Sequence, residues 1–301
     1  MTEGLPAAAR DLDTRSAEAV VGALRAGSEA NLGAACRAGS VDVIRAPGTL
    51  VATGDLHDNP MNFARVMGLA DLEGRSDTHV TLHEVIHGGS LMGGMDFSYR
   101  ALARVAALKA AYPERVHALL ANHELSQISG MGVVKDGVRM VEAFNTGVEY
   151  VFGGESGPVH EAVAGFVRSM PLALIAEGSD GRRVLCAHSL PEEFLMDRFD
   201  ASVLERALTD ADYEPRRGSA HLMVWGRGHS ESHVTGLSAR WNVDGFVLGH
   251  EKAEEGAQRL HPNGVIVNSD HPNGVALVLD LDALPEFREF PRGFRVARVG
   301  A

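Results

Sequence analysis

The sequence predicts an α/β fold, a mixed β-sandwich flanked by helices. Three observations carry this expectation. In the first half, short apolar runs ending in Gly, Asp, Asn or His alternate with stretches of helical periodicity, the pattern of strands joined by helices. In the second half, turn signals separate apolar runs closely enough for antiparallel hairpins. No linker, low-complexity tract or charge block interrupts the 301 residues, so a single domain over 1–301 is expected, large enough to bury a substantial core.

Taken in order, residues 1–47 read as a helical lead-in. Ala, Leu and Val recur at helical spacing from Leu12 to about Ala38, and Gly22, Gly27 and Gly33 are expected to break that stretch into pieces. Val41 to Ala46 reads as a short edge strand, and the first main strand is expected at 49–53. Gly54 then turns the chain into Asp55-Leu56-His57-Asp58-Asn59, and Pro60 opens a helix to Leu72 with Phe63, Val66, Met67 and Ala70 on one face. β-Branched residues mark a second strand over 79–86, stopping at His87-Gly88-Gly89. A helix capped by Asp96 or Ser98 runs to Ala111, and a third strand over 115–121 leads into Asn122-His123-Glu124. Residues 125–170, punctuated by glycines, read as an insertion or cap beside the site, with a helix over 160–169.

Strands at 172–176 and 183–187 flank a Gly-Ser-Asp-Gly turn, and the second ends at His188-Ser189-Leu190-Pro191. A helix is expected over 192–210. The apolar run 222–225 then enters a polar loop at 226–236, and a strand at 246–248 ends at Gly249-His250-Glu251. In the tail, His-Pro-Asn-Gly-Val occurs at 261–265 and again at 271–275, read as similar turns feeding adjacent strands at 265–268 and 275–281.

Composition excludes several function classes. The hydrophobic fraction of 45% and charged fraction of 23% are those of an ordinary soluble protein. No apolar run approaches the roughly 18 residues of a membrane span. Residues 1–15 lack the basic and apolar pattern of a secretory signal. Cys36 and Cys186 are expected to be reduced thiols in a cytoplasmic protein. A net charge of −12 argues against nucleic acid or a membrane surface as partner, since both are bound chiefly through Lys and Arg.

The polar ends of the strands carry the functional expectation. Asp55 and His57, Glu84, Asn122, His188 and His250 each stand at or near the carboxyl end of an expected strand, where open α/β sheets bind their ligands. Mixed oxygen and nitrogen donors suit a divalent transition metal, manganese, iron or zinc, better than calcium or magnesium. Six protein ligands exceed what one catalytic zinc uses and suit two ions sharing a bridging carboxylate, for which Glu84 is the natural choice. Two metals about 3.5–4 Å apart activate a water and clamp the oxygens of an in-line displacement at phosphorus.

These motifs resemble the phosphoprotein-phosphatase branch of the calcineurin-like metallophosphoesterases. The resemblance rests on Gly54-Asp55-Leu56-His57, His83-Glu84-Val85-Ile86-His87-Gly88-Gly89, Ala121-Asn122-His123-Glu124, Ala187-His188 and Gly249-His250, and extends over roughly residues 48 to 282. It implies that fold, with the active site at the strand ends. It also implies two divalent metals, with Asp55 and His57 on the first and Asn122, His188 and His250 completing the centre, and His123 as the acid that protonates the leaving oxygen. Glu124 is expected to buttress the site, and Asn122 and Arg227 to bind substrate, a phosphomonoester on a protein or small molecule. The second motif departs from the family. Glu84 replaces the bridging Asp, His87 the Asp that orients the catalytic His, and Gly88 a phosphate-binding Arg, whose bidentate clamp is thereby lost.

Two rival readings follow from that motif. The altered residues allow a weakly active, metal-binding regulatory module of the same fold. His83-Glu84-Val85-Ile86-His87 also fits a zinc-protease motif, which requires a helix that puts both histidines on one face. Elsewhere, His79 and His83 are expected to pack or support, His229 and His233 to lie on the surface, Asp58 and Asn59 to line the pocket or shape a turn, and Phe144, Phe152 and Phe166 to fill the core.

Overall fold

A computed structural model describes residues 4–300. The chain opens with α1 (Ala7–Arg10) and α2 (Ala17–Gly33), followed by β1 (Arg37–Ala38), β2 (Val41–Arg45) and β3 (Thr49–Thr53). Next come α3 (Pro60–Ala70), β4 (Thr78–Leu82), α4 (Tyr99–Ala111), β5 (Val116–Ala118) and α5 (Asn122–Ser129). A short hairpin, β6 (Val134–Lys135) and β7 (Val138–Arg139), leads into α6 (Met140–Phe152) and α7 (Ser156–Ser169). The second half holds β8 (Ala173–Glu177), β9 (Arg183–Ala187), α8 (Ser219–Trp225), α9 (Glu231–Trp241) and β10 (Gly245–Leu248). It ends with β11 (Ala257–Leu260), β12 (Gly264–Val267), β13 (Val275–Asp280) and β14 (Arg295–Arg298).

These strands build a mixed sandwich. One sheet runs β1-β2-β8-β9-β10-β12-β11 and the other β14-β13-β3-β4-β5. Strand periodicity explains the two cores. Leu50 and Ala52 of β3 face the inner core with Val184 and Cys186 of β9 and Val247 of β10. The alternate residues Val51, Leu185, Phe246 and Leu248 face the helices. Both faces of these strands are therefore apolar, as the unbroken runs in the sequence require. Phe144, Phe152 and Phe166 lie in the helical core.

Several expectations need correction. α2 is one continuous helix, N-capped by the Ser16 hydroxyl, which accepts from Ala19 N. Gly27 is there for packing: a Cβ would stand 2.8 Å from Ala106 of α4. β2 is not an edge strand, since it lies between β1 and β8. β4 ends at Leu82, four residues early, because Glu84 and His87 adopt left-handed backbone (φ 48° and 60°). Residues 192–210 form short 3₁₀ turns rather than a helix. There Arg206 pairs with Asp200 and Asp212, and Asp200 caps its own turn at Ser202. Residues 222–225 belong to a helix, and most of the expected loop at 226–236 is the start of α9, capped by Ser230, with Val234 and Leu237 buried. The two His-Pro-Asn-Gly-Val copies feed β12 and β13, which lie in different sheets.

Residues 125–170 contribute the hairpin β6–β7 and two helices, of which α7 packs on α2. No helix among the described residues is long and apolar enough to cross a membrane.

Candidate metal centre

β3, β4 and β5 run parallel in one sheet, and β9 and β10 run parallel in the other. Their carboxyl ends meet at one rim, with Asp55 as the junction: it pairs as an isolated bridge with His83 beyond β4 and with Asn268 beyond β12. This approach is close enough to require glycine twice. A Cβ at Gly54 would stand 1.7 Å from Val267 O, and one at Gly249 would stand 2.3 Å from Asp55 Oδ1.

All six expected ligands converge there. Glu84 Oε2 lies 3.9 Å from His57 Nε2 and 3.5 Å from His188 Nε2, while Oε1 lies 3.3 Å from His123 Nε2. His188 Nε2 is in turn 2.6 Å from Asn122 Oδ1 and 3.0 Å from His250 Nδ1. Glu84 is thus the shared corner of two metal-competent groups, His57–Glu84–His123 and Glu84–His188–His250. Asp55 belongs to a third, with His83 and His188. His123, expected off the metals, is as near the Glu84 carboxylate as His57 and His188 are. His83, expected to pack or support, completes the Asp55 group.

The donor set fits cations. His83 Nε2 donates to Thr53 O (2.8 Å), so its Nδ1 accepts from His188 Nδ1 at 3.2 Å. The lone pair of His188 then sits on Nε2, facing Asn122 Oδ1 and Glu84 Oε2, which also present lone pairs, with His250 Nδ1 at 3.0 Å. His250 Nε2 is buried without a partner. Burial holds His57, His188 and His250 below the ordinary histidine range, the last at about 4. Burial and then the charge of Asp55 push Glu84 well above the ordinary carboxylate range. Neutral imidazoles around crowded carboxylates lack positive charge, and divalent metals supply it.

A second relay reaches His123. Gln127 Nε2 donates to Asn145 Oδ1 (2.7 Å), which leaves its Oε1 to accept from His87 Nε2 at 3.1 Å. His87 Nδ1 therefore accepts from His123 Nδ1 at 3.1 Å, and the lone pair of His123 points from Nε2 toward Glu84. Glu124, with its carboxyl pushed up to about 7 by burial, accepts from Val85 N and Ile86 N and so fixes the loop carrying Glu84. The helix a zinc protease needs is absent: His83 faces Thr53 and His188, while His87 faces His123 and Gln127.

No family model matches the sequence, and no curated protein matches it. Solved structures do match. The fold is shared with known phosphatases. A Saccharomyces cerevisiae protein serine/threonine phosphatase with similarity to human phosphatase PP5 superposes with a TM-score of 0.69 at 14% identity, over 95% of this chain and 90% of that one. A cold-active protein tyrosine phosphatase matches with a TM-score of 0.53 at 14% identity, over 80% of this chain and 75% of that one. The cold-active protein-tyrosine phosphatase of a psychrophilic Shewanella sp. matches with a TM-score of 0.51 at 14% identity, over 86% and 82%.

Within this phosphatase fold, a cavity of about 530 Å³ opens over the ligands. Lys135, Arg227 and Lys252 line it together with His57, Glu84 and His123. Arg227 donates to His250 O (3.0 Å) and reaches His250 Nδ1 (3.4 Å). Lys135 comes from the β6–β7 hairpin, and its charge bears on His57, Glu84, His87 and His123. Sequence reasoning missed it; the one local signal was the Asp136-Gly137 turn that presents it. At Gly88 no side chain fits, since a Cβ would stand 2.7 Å from His57 O. Asn59 shapes a turn, its Oδ1 accepting from Met61 N and Asn62 N. Contrary to expectation, His233 is buried and bonded to Pro191 O (2.7 Å), and His229 is half-buried beside Ser189.

Proposed function

We propose that this chain is a dinuclear-metal phosphomonoesterase of the calcineurin-like kind. The observation that carries the reading is Glu84 as the shared corner of two ligand groups, inside a fold shared with phosphatases. Asp55, His57 and Glu84 would hold one ion, and Glu84, Asn122, His188 and His250 the other. When bound, two divalent metals supply Lewis-acid activation of water and neutralise charge at phosphorus.

The chain's own residues do the rest. Lys135 and Arg227 draw the substrate phosphate into the cavity and orient it. To serve as the acid for the departing alkoxide, His123 would first take up a proton on the lone pair of Nε2, with Nδ1–H anchored on His87. Glu84 Oε1 lies 3.3 Å from that Nε2. The substrate is a phosphomonoester, on a phosphorylated protein or a small molecule, rather than nucleic acid or a membrane. Two free cysteines, with the buried Cys186 thiol pushed up to about 12, fit a cytoplasmic protein.

One observation favours a second reading, a metal-binding regulatory module. His87, in the orienting position, is neutral and cannot stabilise an imidazolium at His123 as a carboxylate would; burial holds it at about 4. Metal analysis and hydrolysis of an aryl phosphate with added manganese separate the two. The enzyme reading expects two ions per chain, turnover, and a loss of roughly 100-fold or more in kcat for His123→Ala with metals retained. Full metal loading without turnover on any phosphoester would leave the module, and a single ion per chain would end the dinuclear reading.

A further inference from the structure

Alternate residues of one loop face two different cavities. Asp55 and His57 line the candidate metal centre, while Leu56 and Asp58 line a second cavity of about 540 Å³ on the other side of the segment. That volume lies in the range of about 300–1,000 Å³ usual for small-molecule sites. Its walls are largely apolar, formed by Leu56, Phe63, Val85, Phe97, Ala101 and Val105.

Its charges are the unusual feature. In a chain of net charge −12, this cavity gathers Arg15, Arg100 and Arg104 against one carboxylate, Asp58. Arg100 and Arg104 stand one turn apart on α4, on the same face. Arg104 is half-buried, and its Nε is buried without a hydrogen-bond partner among the described residues. Arg100 lies over the rings of Phe97 (4.8 Å) and Tyr99 (5.6 Å), and among the described residues its side chain donates only to the Tyr99 hydroxyl (3.3 Å). Asp58 forms no ion pair with either guanidinium, although both attract it. A guanidinium N–H buried without a partner costs free energy that an incoming oxyanion recovers. The planar fork of Arg suits a carboxylate or phosphonate head, and the ring stacking holds Arg100 in place for it.

We propose that this second cavity binds a small anionic amphiphile, with its oxyanion head between Arg100 and Arg104 and its alkyl or aromatic body against Leu56, Phe63 and Phe97. The reading is independent of the metal centre, because none of these residues is a metal ligand. The test is calorimetry on the full-length protein as purified, with Ala101→Phe separating binding in this cavity from binding at the metal-ligand cavity. Decanoate and decylphosphonate are the probes, with decanol and acetate as controls. Saturable one-to-one binding of either probe is expected, with decanol and acetate at least about tenfold weaker. Arg104→Gln should weaken the probe by about tenfold or more, and Ala101→Phe, which fills the cavity without touching an arginine, should abolish it. The tighter probe identifies the head group. The proposal is overturned if neither probe binds, if decanol binds as well as both, or if Ala101→Phe binds like the parent. Should Arg104→Gln fail to fold, Ala101→Phe decides alone.

Discussion

Glu84 stands where the resembled family has an aspartate, and its backbone explains how the longer side chain is accommodated. β4 stops at Leu82, and Glu84 turns into left-handed backbone beyond it, so one carboxylate oxygen faces His123 and the other faces His57 and His188. Gly88 is constrained just as tightly, because its Cβ position is already occupied by His57 O and Asp58 Cβ. An arginine is therefore sterically excluded there, and in the proposed phosphoesterase positive charge for the substrate must come from elsewhere. Lys135, on a hairpin remote in sequence, lines the cavity and is the proposed source. Removing a charge-assisted hydrogen bond costs about 1.5–3 kcal/mol, or roughly 10- to 100-fold in affinity. Lys135→Met should therefore raise KM for an aryl phosphate and the Kd of inorganic phosphate together by that factor, with kcat changing less. If neither KM nor the phosphate Kd moves, Lys135 has no part in binding.

The helix α2 shows why glycines mislead a sequence reading at the scale of an element. Three glycines were expected to break it, yet it runs unbroken from Ala17 to Gly33. Gly22 faces open space, so an added methyl reduces the freedom of the unfolded chain at no steric cost. Gly27 meets Ala106 Cβ at 2.8 Å, so a methyl there must part α2 from α4. Gly22→Ala should stabilise by about 0.4–1 kcal/mol. Gly27→Ala should destabilise by up to about 2 kcal/mol, since overpacking of about 1–3 kcal/mol is offset by about 1 kcal/mol of helix propensity. Urea denaturation measures both, and two stabilising substitutions would show that the helices part freely. The same division governs what was legible in the sequence. β3, α3, α4 and the β8–β9 hairpin follow from periodicity and turn residues, which are local. So does the convergence of the candidate ligands, because a polar residue directly after an apolar run marks a strand end wherever the strand lies. What stayed hidden depends on distant partners: the ion-pair network that converts 192–210 into 3₁₀ turns, the direction of Lys135, and the backbone of His83–His87, whose spacing alone fits a helix as well as a loop.

At the scale of the whole molecule, histidine burial sets how stability responds to pH. Eleven histidines are held below their ordinary value of 6.5, with burial the first cause in each: His57, His79, His83, His87, His117, His123, His160, His188, His221, His229 and His250. As pH falls through 6.5 the unfolded chain takes up protons at these groups, while His79, His87, His221, His229 and His250 in the native protein resist until about 4. Their stabilising contribution is therefore complete above 6.5 and is lost on acidification. Four carboxyl groups act in the opposite direction. Asp58, Glu84, Asp96 and Glu124 are raised by burial, so the native protein keeps protons there that the unfolded chain has released, and that contribution is lost as pH rises. Acidification toward the pI of 5.6 also relieves the self-repulsion of a chain of net charge −12, but that effect is spread over a large, solvated surface. Eleven groups against four leave the unfolded state with the excess of bound protons, each worth about 1.4 kcal/mol per pH unit, so a net uptake of only two or three protons dominates. The metal-free protein should lose at least ~2 kcal/mol between pH 7 and pH 5, read as a falling urea midpoint at constant slope. Added manganese or zinc should raise the midpoint at pH 7 and do so less at pH 5, because protons compete for the same imidazoles. A midpoint that holds or rises toward pH 5 in the metal-free protein would mean that the buried carboxyl groups, and not the histidines, control the balance.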